Sequence, residues 1–254
     1  MKLAICGDSW ASTNDDDGTS FGEILCTLNN WELMNFARPG SSNFAICLQI
    51  DQAINEKADF IIISTTSSTR VEFPLKGKSY SKDKLLSNVA HVCTSHSNSF
   101  SKKFAVNPTI VSDTIGNFNL FEKNIGCEYH KILPETFKES LKYYLNDLFD
   151  NKIKLQYDTW IISDSCRRVI NSNIPFLIII DRLYSGFNTH APFEEFLSDI
   201  TWIPDYNLIH YNDFAYHRDL DIDNIKMYHY SEDSSSKFAD YISTRIKNIL
   251  DHRI

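Results

Sequence analysis

The segment Lys2-Leu3-Ala4-Ile5-Cys6, apolar and uncharged after Lys2, runs without a break into Gly7-Asp8-Ser9-Trp10. A short, unbroken apolar run that ends at once in a turn is the pattern of a strand buried on both faces. Such strands belong to parallel sheets covered by helices. No other stretch constrains the fold as much. In open α/β sheets, ligands bind beyond the carboxyl ends of the strands, and this turn puts the Ser9 hydroxyl at that edge. Gly7 is expected to take backbone angles closed to other residues, so that the chain turns sharply and leaves Ser9 exposed. Gly, Asp and Ser are ordinary turn residues. The tripeptide therefore gains meaning only from a base and oxyanion donors elsewhere in the chain.

The rest of the sequence continues a strand–helix alternation. Phe21, Ile24, Leu25 and Leu28 recur at helical spacing after an acidic stretch from Asn14 to Gly18. Residues 31–36 read as a second strand. Asn43 is placed to cap a helix carrying Phe44, Cys47, Leu48, Ile50 and Ile54. Residues 58–64 and 176–181 read as buried strands, with Pro175 marking the start of the latter. Near the end, Phe238, Ile242, Ile246 and Ile249 share one helical face. The expectation is one α/β domain over residues 1–254, a doubly wound, mostly parallel sheet flanked by helices.

Over a hundred residues separate the third and fourth of these strands. Helices are expected near 135–149 and 154–170. Before them, an insertion at about 75–133 is rich in Ser, Asn and Lys and has little periodicity. Following the third strand, it would lie near the catalytic edge as a lid or substrate platform, or else form a plain surface excursion. No internal repeat or interdomain linker is evident.

Composition narrows the class. A chain of 254 residues can bury a substantial core. A net charge of −8 with no basic run argues against nucleic-acid binding. Six cysteines (Cys6, Cys26, Cys47, Cys93, Cys127 and Cys166) are scattered, several within apolar segments. That distribution suits reduced, buried thiols and a cytoplasmic location rather than a disulfide framework. No signal peptide is expected, since the first residues lack a basic region followed by a long apolar core, and no membrane span, since no apolar run approaches roughly 20 residues.

Two further blocks join the first. Asn35-Phe36-Ala37-Arg38-Pro39-Gly40-Ser41-Ser42-Asn43 follows the second strand, and His229-Tyr230-Ser231-Glu232 leads into the terminal helix. With Gly7-Asp8-Ser9-Trp10, and in this order, they resemble the SGNH/GDSL hydrolase family. The likeness is nearest to a divergent phage-type subset, in which the second block reads like Pro-Gly-Ser-Ser-Asn. In that subset the third block resembles Thr66-Ser67-Ser68-Thr69-Arg70-Val71-Glu72.

The resemblance implies a flavodoxin-like fold and ester hydrolysis through Ser9, with His229 as base. It also implies oxyanion donors at the backbone N–H groups of Ser9 and Gly40. Two positions depart from the family's pattern. Its acid lies three residues before the histidine, where this chain has Lys226. That leaves Asp223 or Asp221 on a shifted loop, with Asp223 nearer the expected spacing, or a backbone carbonyl, to orient the ring. The family's asparagine of a Gly-x-Asn-Asp block is also missing. Counting along the third strand puts Ser68 near its place, where a hydroxyl would donate one hydrogen bond. Asn43 is a further candidate donor. Arg70 either adds positive charge at the site or pairs with Glu72.

The residues support this chemistry on their own terms. A serine nucleophile needs a base, and histidine is the usual choice at neutral pH. His229 stands just ahead of the terminal helix, with His210 and His217 as fallbacks. His91, Cys93, His96, Cys127 and His130 could in principle ligate zinc, but their spacing matches no standard site, so no metal is expected. The stretch Asn14 to Gly18 lacks the alternation and distal glutamate of a calcium loop. Exposed Tyr or Trp near the site could stack on sugar rings, although most of the aromatic residues belong to a core.

The expected function is hydrolysis of an O-acyl ester of a carbohydrate, or of another small carboxylic ester, with no cofactor. The alternative is a binding or virion structural protein, virion-associated if phage-encoded, that kept the fold and lost the chemistry.

Overall fold

β1 (Lys2–Cys6) buries every residue after Lys2. The chain continues through α1 (Phe21–Asn29), β2 (Glu32–Asn35), α2 (Asn43–Asn55), β3 (Phe60–Ser64), β4 (Arg70–Pro74), β5 (Val89–Ala90) and β6 (Ile110–Thr114). It then forms α3 (Glu135–Tyr143), a π-helical turn (Tyr144–Leu148), α4 (Asn151–Asn171), β7 (Phe176–Ile180), β8 (Leu208–His210) and α5 (Glu232–Asp251). This computed structural model describes residues 1–12, 20–38, 40–74, 89–90, 110–114, 135–180, 203, 207–210 and 232–251.

Among the described residues the main sheet has five strands in the order β2-β1-β3-β7-β8, and every neighbouring pair is parallel. The order turns back between β1 and β3, where Leu3 pairs with Phe60 and Cys6 with Ile63. In doubly wound sheets of this kind that reversal opens a crevice at the carboxyl edge. The loops after β1 and β3 flank it.

Strand pleating sends alternate residues to two separate cores. Leu3, Ile5, Phe60, Ile62, Leu177 and Ile179 face one side, where they meet Phe21 and Leu25 of α1 and Phe238, Ile242, Ile246 and Ile249 of α5. Ala4, Cys6, Ile61, Ile63, Ile178 and Ile180 face the other, against Ile46 and Ile50 of α2 and Ile162, Cys166 and Val169 of α4. Arg168 of α4 is ion-paired with Asp51 of α2, stapling that helix layer. The expected α/β architecture is therefore present.

Helix ends follow capping chemistry. Ser20 and Glu23 form a reciprocal capping box at α1, and Asn30 ends that helix in the left-handed region at φ 54°. Asp150 caps α4 by accepting from the N–H groups of Lys152 and Ile153. At α2 the cap is Ser42, whose Oγ accepts from the Ala45 N–H at 3.3 Å. The expectation that Asn43 caps this helix is thus corrected: Asn43 is its first residue, and its side chain points elsewhere.

The second sheet was not anticipated. β4 pairs antiparallel with β6, Arg70 opposite Thr114, and β6 pairs parallel with β5. The remainder of the expected insertion lies outside the described residues. Among the described cysteines, Cys6, Cys26, Cys47 and Cys166 are free. Burial pushes the Cys26 thiol up to about 11 and Cys166 up to about 12, so both stay protonated at neutral pH. No described helix is long and apolar enough to cross a membrane.

Candidate active site

The turn after β1 is held from three directions. Gly7 donates its N–H to Gln49 Oε1 at 2.7 Å, and its carbonyl accepts from Gln49 Nε2 at 3.1 Å and from the Arg38 N–H at 3.1 Å. A Cβ on Gly7 would lie 2.8 Å from Ala11 Cβ and 2.9 Å from Ser64 Cβ. Close packing between β1 and β3 therefore demands glycine here. This corrects the expectation of an unusual backbone angle, because among the described glycines the positive φ belongs to Gly40, at 76°.

Asp8 comes next, and its carboxylate is almost fully buried. Its Oδ1 accepts from the Trp10 N–H at 3.0 Å. Its Oδ2 accepts from Thr66 Oγ1 at 2.8 Å and lies 3.0 Å from Arg70 Nη2. The Asp8 carbonyl accepts from the Ala11 and Ser12 N–H groups, and Ser12 Oγ donates to the Ser9 carbonyl. Ser9 thus sits, half-buried, on a turn whose two flanking residues are both fixed. Trp10 packs its ring 5.0 Å from Phe21 and 5.1 Å from Phe238, centroid to centroid, docking the turn on α1 and α5.

Gly40 lies in the loop between β2 and α2 and is buried. Its left-handed φ favours glycine on backbone grounds, whereas Gly7 is required by packing. The chain on either side of it is tied to Gly7, through the Arg38 N–H and through Gln49 Nε2, which also donates to Ser41 Oγ at 3.1 Å.

Asn43 clamps the loop after β3. Its Oδ1 accepts from the Thr66 N–H at 3.0 Å, and its Nδ2 donates to the Thr66 carbonyl at 2.8 Å and to Asp158 Oδ2 at 3.1 Å. Both amide hydrogens are engaged, so in this arrangement Asn43 has none to offer an oxyanion. Its part is to hold Thr66. Ser68, on the same loop, donates its hydroxyl to Asn151 Oδ1 at 3.1 Å.

Arg70 and Glu72 do not pair with each other as one sequence reading expected. Both are on β4, but Arg70 turns to Asp8, whereas Glu72 Oε2 lies 3.5 Å from Lys154 Nζ. Lys154 is also ion-paired with Asp158, one helical turn on. Burial raises the Asp158 carboxyl to about 6, with Lys154 and Asn43 acting against the rise and Glu72 adding to it.

His229, Asp223, Asp221, Lys226 and His217 lie outside the described residues, as do His91, Cys93, His96, Cys127, His130 and the acidic stretch Asn14 to Gly18. His210 ends the edge strand β8, opposite Ile180. Among the described residues no group of three or more His, Cys, Asp or Glu could hold a metal ion.

Sequence reasoning missed Gln49, Thr66, Lys154 and Asp158. Gln49 did carry a signal, since it falls on the buried face of α2 between Ile46 and Ala53. A polar side chain at that position has to bond something.

No family model matches the chain. No curated protein matches it either. Among solved structures, one from Desulfitobacterium hafniense DCB-2, provisionally named a lipolytic protein of the G-D-S-L family, is similar with a TM-score of 0.48. Identity to it is 10%, and the alignment covers 96% of this chain and 98% of that one.

Proposed function

We propose that this protein is a serine ester hydrolase of the SGNH/GDSL type, acting on an O-acyl ester of a carbohydrate or on another small carboxylic ester. The observation that carries the reading is the turn at Ser9. It projects from the carboxyl end of β1 at the reversal of strand order, with Gly7 and Asp8 on one side and Trp10 on the other locked by buried contacts. A serine carried on a turn held this firmly at the edge of a parallel sheet suits a nucleophile, whose geometry must be set before the reaction begins.

In this mechanism Ser9 attacks the ester carbonyl while His229 removes its proton. The tetrahedral oxyanion takes hydrogen bonds from the N–H groups of Ser9 and Gly40; the Ser68 hydroxyl becomes a third donor only by turning from Asn151 Oδ1, to which it donates in this structure. His229 then protonates the leaving alcohol, and water attacks the acyl-enzyme with His229 again as base. Asp223 orients the imidazole. Asp8 is not available as the acid, since its two oxygens serve Arg70, Thr66 and the Trp10 N–H.

The position of α5 supports His229 as base. Phe238 touches Trp10, and α5 begins six residues earlier, about 9 Å along its axis at the usual rise. His229 precedes that start by three residues. The likeness to the phage-type subset rests on the Pro-Gly-Ser-Ser-Asn block and the Thr66 to Glu72 segment alone.

One observation favours the second reading, a binding or virion structural protein that has lost the chemistry. Neither candidate for the family's missing asparagine has a hydrogen to spare, since Asn43 is committed to Thr66 and Asp158 and the Ser68 hydroxyl to Asn151. A fluorophosphonate probe separates the two. Labelling at Ser9 that disappears in Ser9→Ala is expected. Labelling that is absent, or unchanged in Ser9→Ala, would establish the second reading instead.

A further inference from the structure

A line of hydrogen bonds leads from α4 to the turn that holds Ser9. Asp158 Oδ2 accepts from Asn43 Nδ2, Asn43 grips Thr66 by both its N–H and its carbonyl, and Thr66 Oγ1 donates to Asp8. Asp8 in turn accepts from the Trp10 N–H beside Ser9. Asp158, Asn43, Thr66 and Asp8 are all buried, so water cannot substitute for a lost partner without a rearrangement.

We propose that Asn43 and Asp158 are positioning residues for the Ser9 turn, and that the negative charge on Asp158 is what keeps the loop after β3 gripped against it. The consequence for catalysis rests on the hydrolase reading above; the structural content does not.

The argument is one of donors and acceptors. Thr66 dictates how the Asn43 amide is turned, because its N–H must meet Oδ1 and its carbonyl must meet Nδ2. The second Nδ2 hydrogen then faces Asp158 Oδ2 and requires an acceptor there. The other carboxylate oxygen, Oδ1, belongs to Lys154. A proton arriving on Oδ2 leaves there a weaker, neutral acceptor that carries a hydrogen of its own to place beside the Asn43 amide hydrogens. Rotating the Asn43 amide would satisfy Asp158 but set Nδ2 against the Thr66 N–H. In the first case Asn43 loses its anchor on Asp158 and is freed to shift with Thr66; in the second Thr66 loses both of its bonds to Asn43, and in each Asp8 loses the fixed position of its hydroxyl partner.

The groups facing Asp158 explain why the charge can change near neutrality. Lys154 on its own helix and Asn43 on α2 stabilise the anion, whereas burial and Glu72 on β4 oppose it. Tyr144, on the π-helical turn, is coupled to the same Glu72 and Lys154, and burial with Glu72 pushes its phenol up so that it stays neutral. Two carboxylates thus share one ammonium, and the more buried of them, Asp158, takes up a proton at about pH 6. The Asp8–Arg70 pair lies farther along the line, beyond Thr66.

The test follows the backbone amide resonances of Thr66 and Trp10 by two-dimensional NMR of the full chain between pH 8 and pH 5. Both are expected to move together with a midpoint near 6, the value to which Asp158 is raised. The step should vanish in Asp158→Asn. It should move to lower pH in Glu72→Gln, which removes a repelling charge, and to higher pH in Lys154→Met, which removes an attracting one. Glu72 is only half-buried, so its variant decides the matter even if Asp158→Asn does not fold. A Thr66 step that ignores Glu72→Gln overturns the role of Asp158. A Thr66 step without a Trp10 step overturns positioning of the turn. Fluorophosphonate labelling of the same samples gives the catalytic arm, and its acid limb should shift with Glu72→Gln. Absence of labelling at every pH would refute the hydrolase reading while the two amides still decide the clamp.

Discussion

Arg70 Nη2 lies 3.0 Å from Asp8 Oδ2, and both side chains are almost wholly shielded from solvent. Asp8 is the residue before the proposed nucleophile, and Arg70 begins the strand that founds the second sheet. The pair therefore ties the turn at Ser9 to β4, and Thr66 Oγ1 reinforces it on the same carboxylate oxygen. Buried ion pairs contribute little net stability against an apolar pair of the same shape, but losing one partner strands the other charge.

That asymmetry gives the first prediction. Arg70→Met should destabilise the fold by about 3–5 kcal/mol, because it leaves the buried Asp8 carboxyl without its cation. The double variant Asp8→Asn with Arg70→Met should recover a large part of that loss. Denaturant titrations of the two variants measure both terms. A single variant as stable as the parent would mean that the pair is not the anchor described above.

Gly7 gives the second. An alanine there would bring its Cβ to 2.8 Å from Ala11 Cβ, 2.9 Å from Ser64 Cβ and 3.2 Å from the Ser64 carbonyl oxygen. These atoms are backbone or directly attached to it, so relief requires β1 and β3 to move apart at the site. Gly7→Ala should cost about 1–3 kcal/mol, the usual range for overpacking. It should also slow probe labelling of Ser9 by more than its unfolded fraction explains. Thermal melts and labelling rates on the same preparation check both parts, and a variant with wild-type labelling would show that the turn tolerates displacement.

The legibility of this chain in its sequence follows physical lines. β1, β3 and β7 could be read because burial on both faces leaves unbroken apolar runs such as Phe60 to Ser64. α5 could be read because Phe238, Ile242, Ile246 and Ile249 recur on one face. β8 is three residues long, too short for a pattern, and β4 mixes Arg70 and Glu72 with Val71 and Phe73. Their pairing depends on partners distant in sequence. The site divides in the same way. Ser9 and Gly40 announce themselves through local turn chemistry, whereas Asp158 meets Asn43 across 115 residues of chain. Lys154 and Asp158 do sit on the helical stripe continued by Ile162, Cys166 and Val169. Polar residues in such a stripe mark a buried polar contact, but nothing local names the partner.

The last prediction concerns the two residues that complete the proposed mechanism. His229→Ala should lower kcat on a short p-nitrophenyl ester by several orders of magnitude with the fold intact, because nucleophile and base act as a unit. His210→Ala should leave kcat near wild type, since His210 ends the edge strand β8, two strands from β3 in the sheet. The opposite outcome would move the base to His210. For the acid, Asp223→Asn should cost up to roughly 10⁴ in kcat, the penalty for a histidine held in the wrong tautomer. If Asp221→Asn carries that penalty instead, the loop has shifted by two residues relative to the family pattern and Asp221 takes the role. If neither does, a backbone carbonyl orients the ring and the site works as a Ser-His dyad. Lys226 is the reason these variants are needed, for it stands where the family's acid would be. A cation at that spacing cannot orient an imidazolium, so the acid must come from elsewhere on the loop or be dispensed with.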